Sequence, residues 1–275
     1  MSDELPATNR PRRDNGRGHA GSRLRDDLVM GLRFFSRLPT GDRPHESPDL
    51  SRMALALPFT SLVIGALPAF VLMGACWIGV PSFFAAALAV AALVIATGAM
   101  PEDALADAAD GLFGGATIER RLEIMKDSRH GTFGVSALCL YLVLRVAGFG
   151  SLAAINPLAA GGVWLATGVL ARSGALWLSV DLPAARVGGA SASAGRVKKR
   201  DFVIGAAFAA VLSFVLAGPF VSVLGLFFGL LAVAGTAWGW TWLCRRLLGG
   251  QTGDVIGALH ALSEVAALAV FLIFA

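Results

Sequence analysis

From Met53 to Met100 the chain carries no charged side chain, and three more runs come close: Thr132–Val180 holds only Arg145 and Arg172, Phe202–Cys244 none, and Val255–Ala275 only Glu264. A helix needs about 20 apolar residues to cross the hydrocarbon core, so the first three runs are each about two spans long and the last about one. Gly or Pro stands near the middle of each double run, where a turn belongs. The turn candidates are Gly79-Val80-Pro81-Ser82, Gly148-Phe149-Gly150 followed by Asn156-Pro157, and Gly218-Pro219. The pattern predicts an all-α fold, a polytopic integral membrane helical bundle of about seven transmembrane helices, at roughly 53–78, 82–100, 132–150, 158–180, 202–217, 220–243 and 255–275. Composition agrees: 56% of the 275 residues are hydrophobic and 15% charged, against roughly 25% charged in soluble domains. A disordered chain and a water-soluble globule are both excluded.

Every Lys and Arg other than Arg145 and Arg172 falls in four stretches, Met1–Arg52, Glu102–Arg129, Asp181–Asp201 and Arg245–Asp254, and the three predicted turns carry none. Short loops rich in Lys and Arg stay in the cytoplasm, so the N-terminus and the polar loops are expected there and the C-terminus outside. Residues 1–27 mix both charge signs with Gly, Asn and Ser and lack the apolar stretch of a signal peptide. They read as a flexible cytoplasmic tail, followed by a single multi-span domain over 28–275. The net charge of +4 and the run Arg196-Val197-Lys198-Lys199-Arg200 fit topology and contact with the lipid bilayer; no motif supports a nucleic-acid partner. Cys76, Cys139 and Cys244 are scattered without metal-site spacing. A homo-oligomer is compatible with the pattern.

The most informative stretch is Thr97 to Gly115. Asp103, Asp107 and Asp110 are spaced i, i+4 and i+7, which puts them on one face of a helix, with Pro101 suited to its first turn and Gly111 to its end. No Lys or Arg lies among them, and the residues between are apolar, so three like charges on one stripe call for a cation. Carboxylates suit a hard ion, and Mg2+ binds through one or two carboxylates together with water and substrate phosphates. Glu102 lies off the stripe, either an accessory ligand or a surface charge.

Downstream, Arg120, Arg121, Lys126 and Arg129 offer cations to a phosphorylated substrate, or else line an interfacial helix. His130 is weak evidence for a base. Gly249-Gly250-Gln251-Thr252-Gly253-Asp254 leads into the last span with glycines that permit close backbone approach and one more carboxylate. Within the spans, Arg145, Arg172, His260 and Glu264 are costly unless they line a polar cavity; Arg145 has the alternative of snorkelling.

Together these segments resemble the bacterial cobalamin synthase family, the adenosylcobinamide-GDP ribazoletransferases. The similarity runs through Phe34-Phe35-Ser36-Arg37-Leu38-Pro39, Leu57-Pro58-Phe59, Thr97-Gly98, Asp103 to Gly115, Arg121 to Gly134, Arg172 and Gly249 to Asp254, ending near Glu264. Arg121 to Arg129 and Gly250 to Asp254 are its specific pieces. The chain departs from the family pattern at Pro101, Ala104 and Ala261.

The resemblance implies a Mg2+-dependent enzyme of the bacterial inner membrane, with its site facing the cytoplasm. The reaction implied is the last step of cobalamin nucleotide-loop assembly, from adenosylcobinamide-GDP and alpha-ribazole, or its 5'-phosphate, with GMP released. On that reading Asp103, Asp107 and Asp110 hold Mg2+, Lys126 and Arg129 neutralise charge, and Asp110 or Asp127 is the base. Arg37, Arg121, Arg172, Gln251, Thr252, Asp254 and Glu264 complete the substrate pocket. Competing readings are a CDP-alcohol phosphotransferase, a prenyltransferase and an ion-coupled transporter. The first expects Ala-Arg after Gly111, where Leu112-Phe113 stand; the last expects its acids near the bilayer midplane.

Overall fold

The computed structural model describes residues 20–41, 48–127, 129–186 and 195–275. Among these, eleven α-helices and one isolated parallel bridge make up the regular structure. They are α1 (Ala20–Phe35), α2 (Leu50–Trp77), α3 (Ser82–Thr97), α4 (Met100–Gly114), α5 (Ile118–Ile124), α6 (Thr132–Ile155), α7 (Pro157–Ala175), α8 (Trp177–Asp181), α9 (Lys199–Ala217), α10 (Val223–Leu248) and α11 (Gly253–Phe274). Helix α1 begins inside the segment read as a tail, and residues 1–19 lie outside the described part.

Six helices are long and apolar enough to cross a membrane: α2, α6, α7 continued by α8, α9, α10 and α11. The pair α3 and α4 makes a seventh when counted as one bent span, because the two meet at 86°. That bend has a local cause. Gly98 ends α3 at φ 64 and Ala99 follows at φ 58, two successive left-handed residues, so α4 leaves along a new direction. The sequence expectation of one span through residue 100 is corrected accordingly, and the Asp helix turns away from the direction of α3.

The turn expected at Gly148-Phe149-Gly150 does not form. Gly148 packs on Leu268, and Gly150 on Phe83; these glycines sit inside α6 because helices approach there, and small residues permit close contact in a membrane. The chain reverses at Asn156, whose side chain accepts from the amides of Leu158 and Ala159 to cap α7, with Pro157 in the first turn.

Helix α7 is the axis of the bundle, packed against α2, α6, α9 and α11. Its most apolar window is 72% buried, against 22% for α9 and 28% for α10, which face outward and display Phe208, Phe214, Phe227 and Trp238. The bilayer is the solvent those side chains suit. The polar connections gather at the opposite end from the apolar turns, and α4, α7 and the start of α11 meet there.

Candidate active site

A cleft of about 210 Å3 opens where α1, α4, α7 and α11 converge, lined by Phe34, Phe35, Asp103, Arg172, Asp254 and His260 among others. The stripe Asp103, Asp107, Asp110 is one face of α4, as its spacing requires, but burial is graded along it. Asp103 is exposed, Asp107 half-buried and Asp110 buried. These differences assign the three carboxylates different surroundings.

Asp110 is engaged by backbone. Its two oxygens accept from the amides of Gly131 at 2.6 Å and Gly134 at 2.8 Å, so α4 supplies the cap for the start of α6. A methyl on Gly134 would collide with this carboxylate, which is why that position needs glycine.

Asp107 stands among Asp103, Asp254, Asp110 and His130, whose Nδ1 is 3.9 Å from its Oδ1. Burial first, and then repulsion from Asp103 and Asp254, raises its carboxyl from 3.8 to about 6. A divalent cation would relieve this accumulation of charge. Among the described residues no three His, Cys, Asp or Glu side chains form a metal-holding group by themselves. Mg2+ does not demand one, since substrate phosphates and water fill much of its shell. The donor set is therefore of the kind Mg2+ uses.

Asp254 opens α11 behind the N-cap Thr252, whose side chain accepts from the Val255 amide and whose hydroxyl donates to Asp254 Oδ2 at 3.1 Å. Arg186 reaches the same oxygen at 3.0 Å. The chain around Arg186 is tied to the Gly-rich loop: the Gln251 amide donates to the Pro183 carbonyl and the Ala185 amide to the Gln251 carbonyl, both at 2.8 Å. Gln251 is buried, and its Oε1 has no hydrogen-bond partner among the described residues.

Arg172 is 5% exposed and borders the cleft; no hydrogen bond or ion pair joins it to a described residue, and the favourable charge acting most on it is that of Glu264. Glu264 and Arg145 behave in the opposite way. Arg145, completely buried, donates to Glu102 at 3.2 Å and lies 3.4 Å from Glu264, which also accepts from the Tyr141 hydroxyl at 2.6 Å. Its guanidinium sits over the rings of Tyr141 at 4.9 Å and Trp164 at 5.5 Å. Snorkelling is thus corrected: Arg145 is turned inward and joins the Asp-bearing α4 to α11.

The remaining sequence candidates stand apart from the cleft lining. Arg121 donates to the carbonyls of Leu112 at 3.3 Å and Leu247 at 2.9 Å, fastening α5 across α4 and α10. Lys126 is exposed. Arg129 pairs with Asp127 at 2.6 Å; its hydrogen bonds hold the Asp127 carboxyl down at about 2. Arg37 lies against the α3–α4 break, its Nε 2.7 Å from where a Gly98 Cβ would stand.

Sequence reasoning missed Arg186 and Tyr141 and left Glu102 undecided. One signal was present: the chain has a single tyrosine, and it lies one helical turn from Arg145, on the same face of an apolar span.

The model of the family described as cobalamin-5-phosphate synthase matches residues 27–272. A protein of Azorhizobium caulinodans named adenosylcobinamide-GDP ribazoletransferase is 42% identical over 262 residues, covering 92% of this chain and 98% of that relative. A protein of the same name from Xanthobacter autotrophicus is 43% identical over 258 residues, covering 92% and 97%. Another, from Rhizobium meliloti, is 42% identical over 257 residues, covering 89% and 95%. No solved structure matches the chain.

Proposed function

The chain belongs to the cobalamin-5-phosphate synthase family, and from that premise we propose that it joins adenosylcobinamide-GDP to alpha-ribazole or its 5'-phosphate and releases GMP. The ribazole 3'-hydroxyl attacks the phosphorus that carries the corrinoid side chain. A new oxygen–phosphorus bond forms, the diphosphate bridge breaks, GMP takes the bridging oxygen, and the hydroxyl proton passes to a base or solvent.

The observation that carries this reading is Arg172: a buried guanidinium that makes no ion pair with a described residue and feels the charge of Glu264, bordering a cleft that also holds Asp103 and Asp254. A buried charge left unpaired is costly, and a diphosphate supplies the missing anion in the bidentate geometry that Arg favours. Asp103, Asp107 and Asp254 would hold Mg2+, which supplies charge neutralisation on the phosphoryl oxygens. Phosphoryl transfer is largely positioning and electrostatic stabilisation, and this chain's contribution is to place Arg172, Asp103 and Asp254 around one cleft. Asp110 and Asp127 fit the role of base less well than the sequence suggests. The first spends both oxygens on backbone amides, and the second holds a proton too weakly at neutral pH.

The concentration of Lys and Arg at the cleft end supports placing that end in the cytoplasm of a bacterial inner membrane. The test is GMP release by purified, reconstituted protein given both substrates, with and without Mg2+. Release that requires both substrates and the metal supports the reading; no release from wild type overturns it.

A further inference from the structure

Helices α9 and α10 follow one another in the chain and run antiparallel, each leaning on α7 and burying little of itself. A second cavity, of about 390 Å3, lies between these three helices, walled by Leu170, Trp177, Phe202, Ala209, Val233 and Trp238 among others. Its lining carries no charged side chain and one hydroxyl, that of Ser173, so a nucleotide or a free phosphate would lose its hydration there without replacement. The lining runs from Phe202 to Ala209 on α9 and from Leu230 to Trp238 on α10, about 10–12 Å along each helix. One leaflet's hydrocarbon is about 15 Å deep, so the groove is long enough to run through most of one leaflet.

The end of this groove nearest the polar loops is basic. Phe202 lies about one helical turn from Lys199, and Trp238 about two turns from Arg245 and Arg246. Lys199 and Arg200 are exposed, and Arg246 stands over the Trp242 ring at 5.5 Å. No ion pair joins any of these three to a described residue, whereas Arg245 is paired with Asp181, and Asp201 accepts from the Ser51 hydroxyl. We infer that the groove is a site for an anionic phospholipid, with one acyl chain lying between α7, α9 and α10 and the phosphate meeting Lys199, Arg200 and Arg246. Basic residues flanking an apolar groove between spans are the arrangement that holds anionic headgroups. A second copy of the chain fits less well: copies in one membrane share their orientation, so their basic ends would meet at one level and repel. The inference does not depend on the transferase reading. Ser173 and Gly174 line the groove while Arg172 lines the cleft, so the lipid lies against the turn of α7 that carries Arg172.

The test is native mass spectrometry of the full-length protein titrated with phosphatidylglycerol or with phosphatidylcholine of identical acyl chains, read as the dissociation constant of the first bound lipid. Wild type is expected to prefer phosphatidylglycerol by about tenfold, and the triple variant Lys199→Gln, Arg200→Gln, Arg246→Gln to reduce that preference to about twofold or less. Ala234 lines the groove, so Ala234→Phe places a ring inside it and is expected to weaken both lipids alike by about tenfold. Equal affinity of wild type for the two lipids overturns the inference without involving any variant. A preference that survives the triple substitution, or lipid binding unchanged in Ala234→Phe, overturns it as well. A wild-type dimer that Ala234→Phe converts to monomer assigns the groove to a second copy and overturns it in favour of that occupant.

Discussion

Two clusters of charge share α4 and α11, and they are built on different terms. In the inner one, Glu102, Arg145, Glu264 and Tyr141 are at most 4% exposed and pair with one another, two carboxylates sharing one guanidinium, while Glu102 Oε2 and Arg145 Nε and Nη2 have no hydrogen-bond partner among the described residues. In the outer one, Asp103, Asp107 and Asp254 crowd together at the cleft, Asp254 paired with Arg186, while Arg172, which borders the same cleft, is acted on chiefly by the charge of Glu264. Glu102 and Asp103 are neighbours in sequence, as are the helical turns bearing His260 and Glu264. The contrast teaches that ionisable residues in this bundle divide by surroundings rather than by type: the buried ion-paired cluster ties α4 and α11 to α6, and the carboxylate-rich one borders the cleft.

Substitutions can break that division. The largest effect is expected in the outer cluster: Asp107→Asn removes Mg2+-dependent GMP release to background, with the thermal unfolding transition unchanged. Activity like wild type would remove Asp107 from the metal site. In the inner cluster the consequence is the reverse. Arg145→Met leaves two buried carboxylates unpaired and costs about 3–5 kcal/mol of stability. The triple variant Glu102→Gln, Arg145→Met, Glu264→Gln recovers most of it, as measured by unfolding in mixed micelles. A triple variant no more stable than the single one would contradict the charge-balance account.

Asp110 tests the boundary between the two. Gly134→Ala forces its carboxylate off the α6 amides and is expected to cost about 2 kcal/mol, the range of charge-assisted hydrogen bonds, visible as early unfolding of α6 in hydrogen exchange.

The smallest effect is a pH dependence. Asp107 has a carboxyl raised from 3.8 to about 6, so the folded chain binds a proton there that the unfolded chain does not between those values. Without metal, its contribution therefore favours the fold more as pH falls through 6. Mg2+ competes with that proton, so its apparent affinity drops about tenfold per pH unit below 6. Calorimetric titration that shows no change between pH 7 and 5 would contradict the assignment.

Much of this was legible in the sequence, for physical reasons. Runs without charge announce spans because burying a charge in hydrocarbon is costly, and the i, i+4, i+7 spacing announces a shared helical face. The bend at Gly98 and Ala99 was hidden because the apolar run continues through Met100, and hydropathy does not register backbone direction. Gly148 and Gly150 misled in the other direction: glycine marks turns in water and close helix contacts in membranes, and only the neighbours Leu268 and Phe83 decide between them. The stripe predicted that Asp103, Asp107 and Asp110 share a face, but not that Asp110 would cap a different helix, since the amides of Gly131 and Gly134 reach it only through the fold. The snorkelling alternative for Arg145 stayed open because its partners Glu102 and Glu264 lie on two other helices.

The central claim is that Arg172, which makes no ion pair with a described residue, binds substrate phosphate. Binding of adenosylcobinamide-GDP to wild type and to Arg172→Met, measured by equilibrium titration in nanodiscs alongside the unfolding midpoint, tests this directly. The account predicts a loss of affinity of about tenfold to a hundredfold, the range for a charge-assisted hydrogen bond, with no loss of stability in the variant. Unchanged affinity, or weakened affinity accompanied by an equally weakened fold, would contradict it.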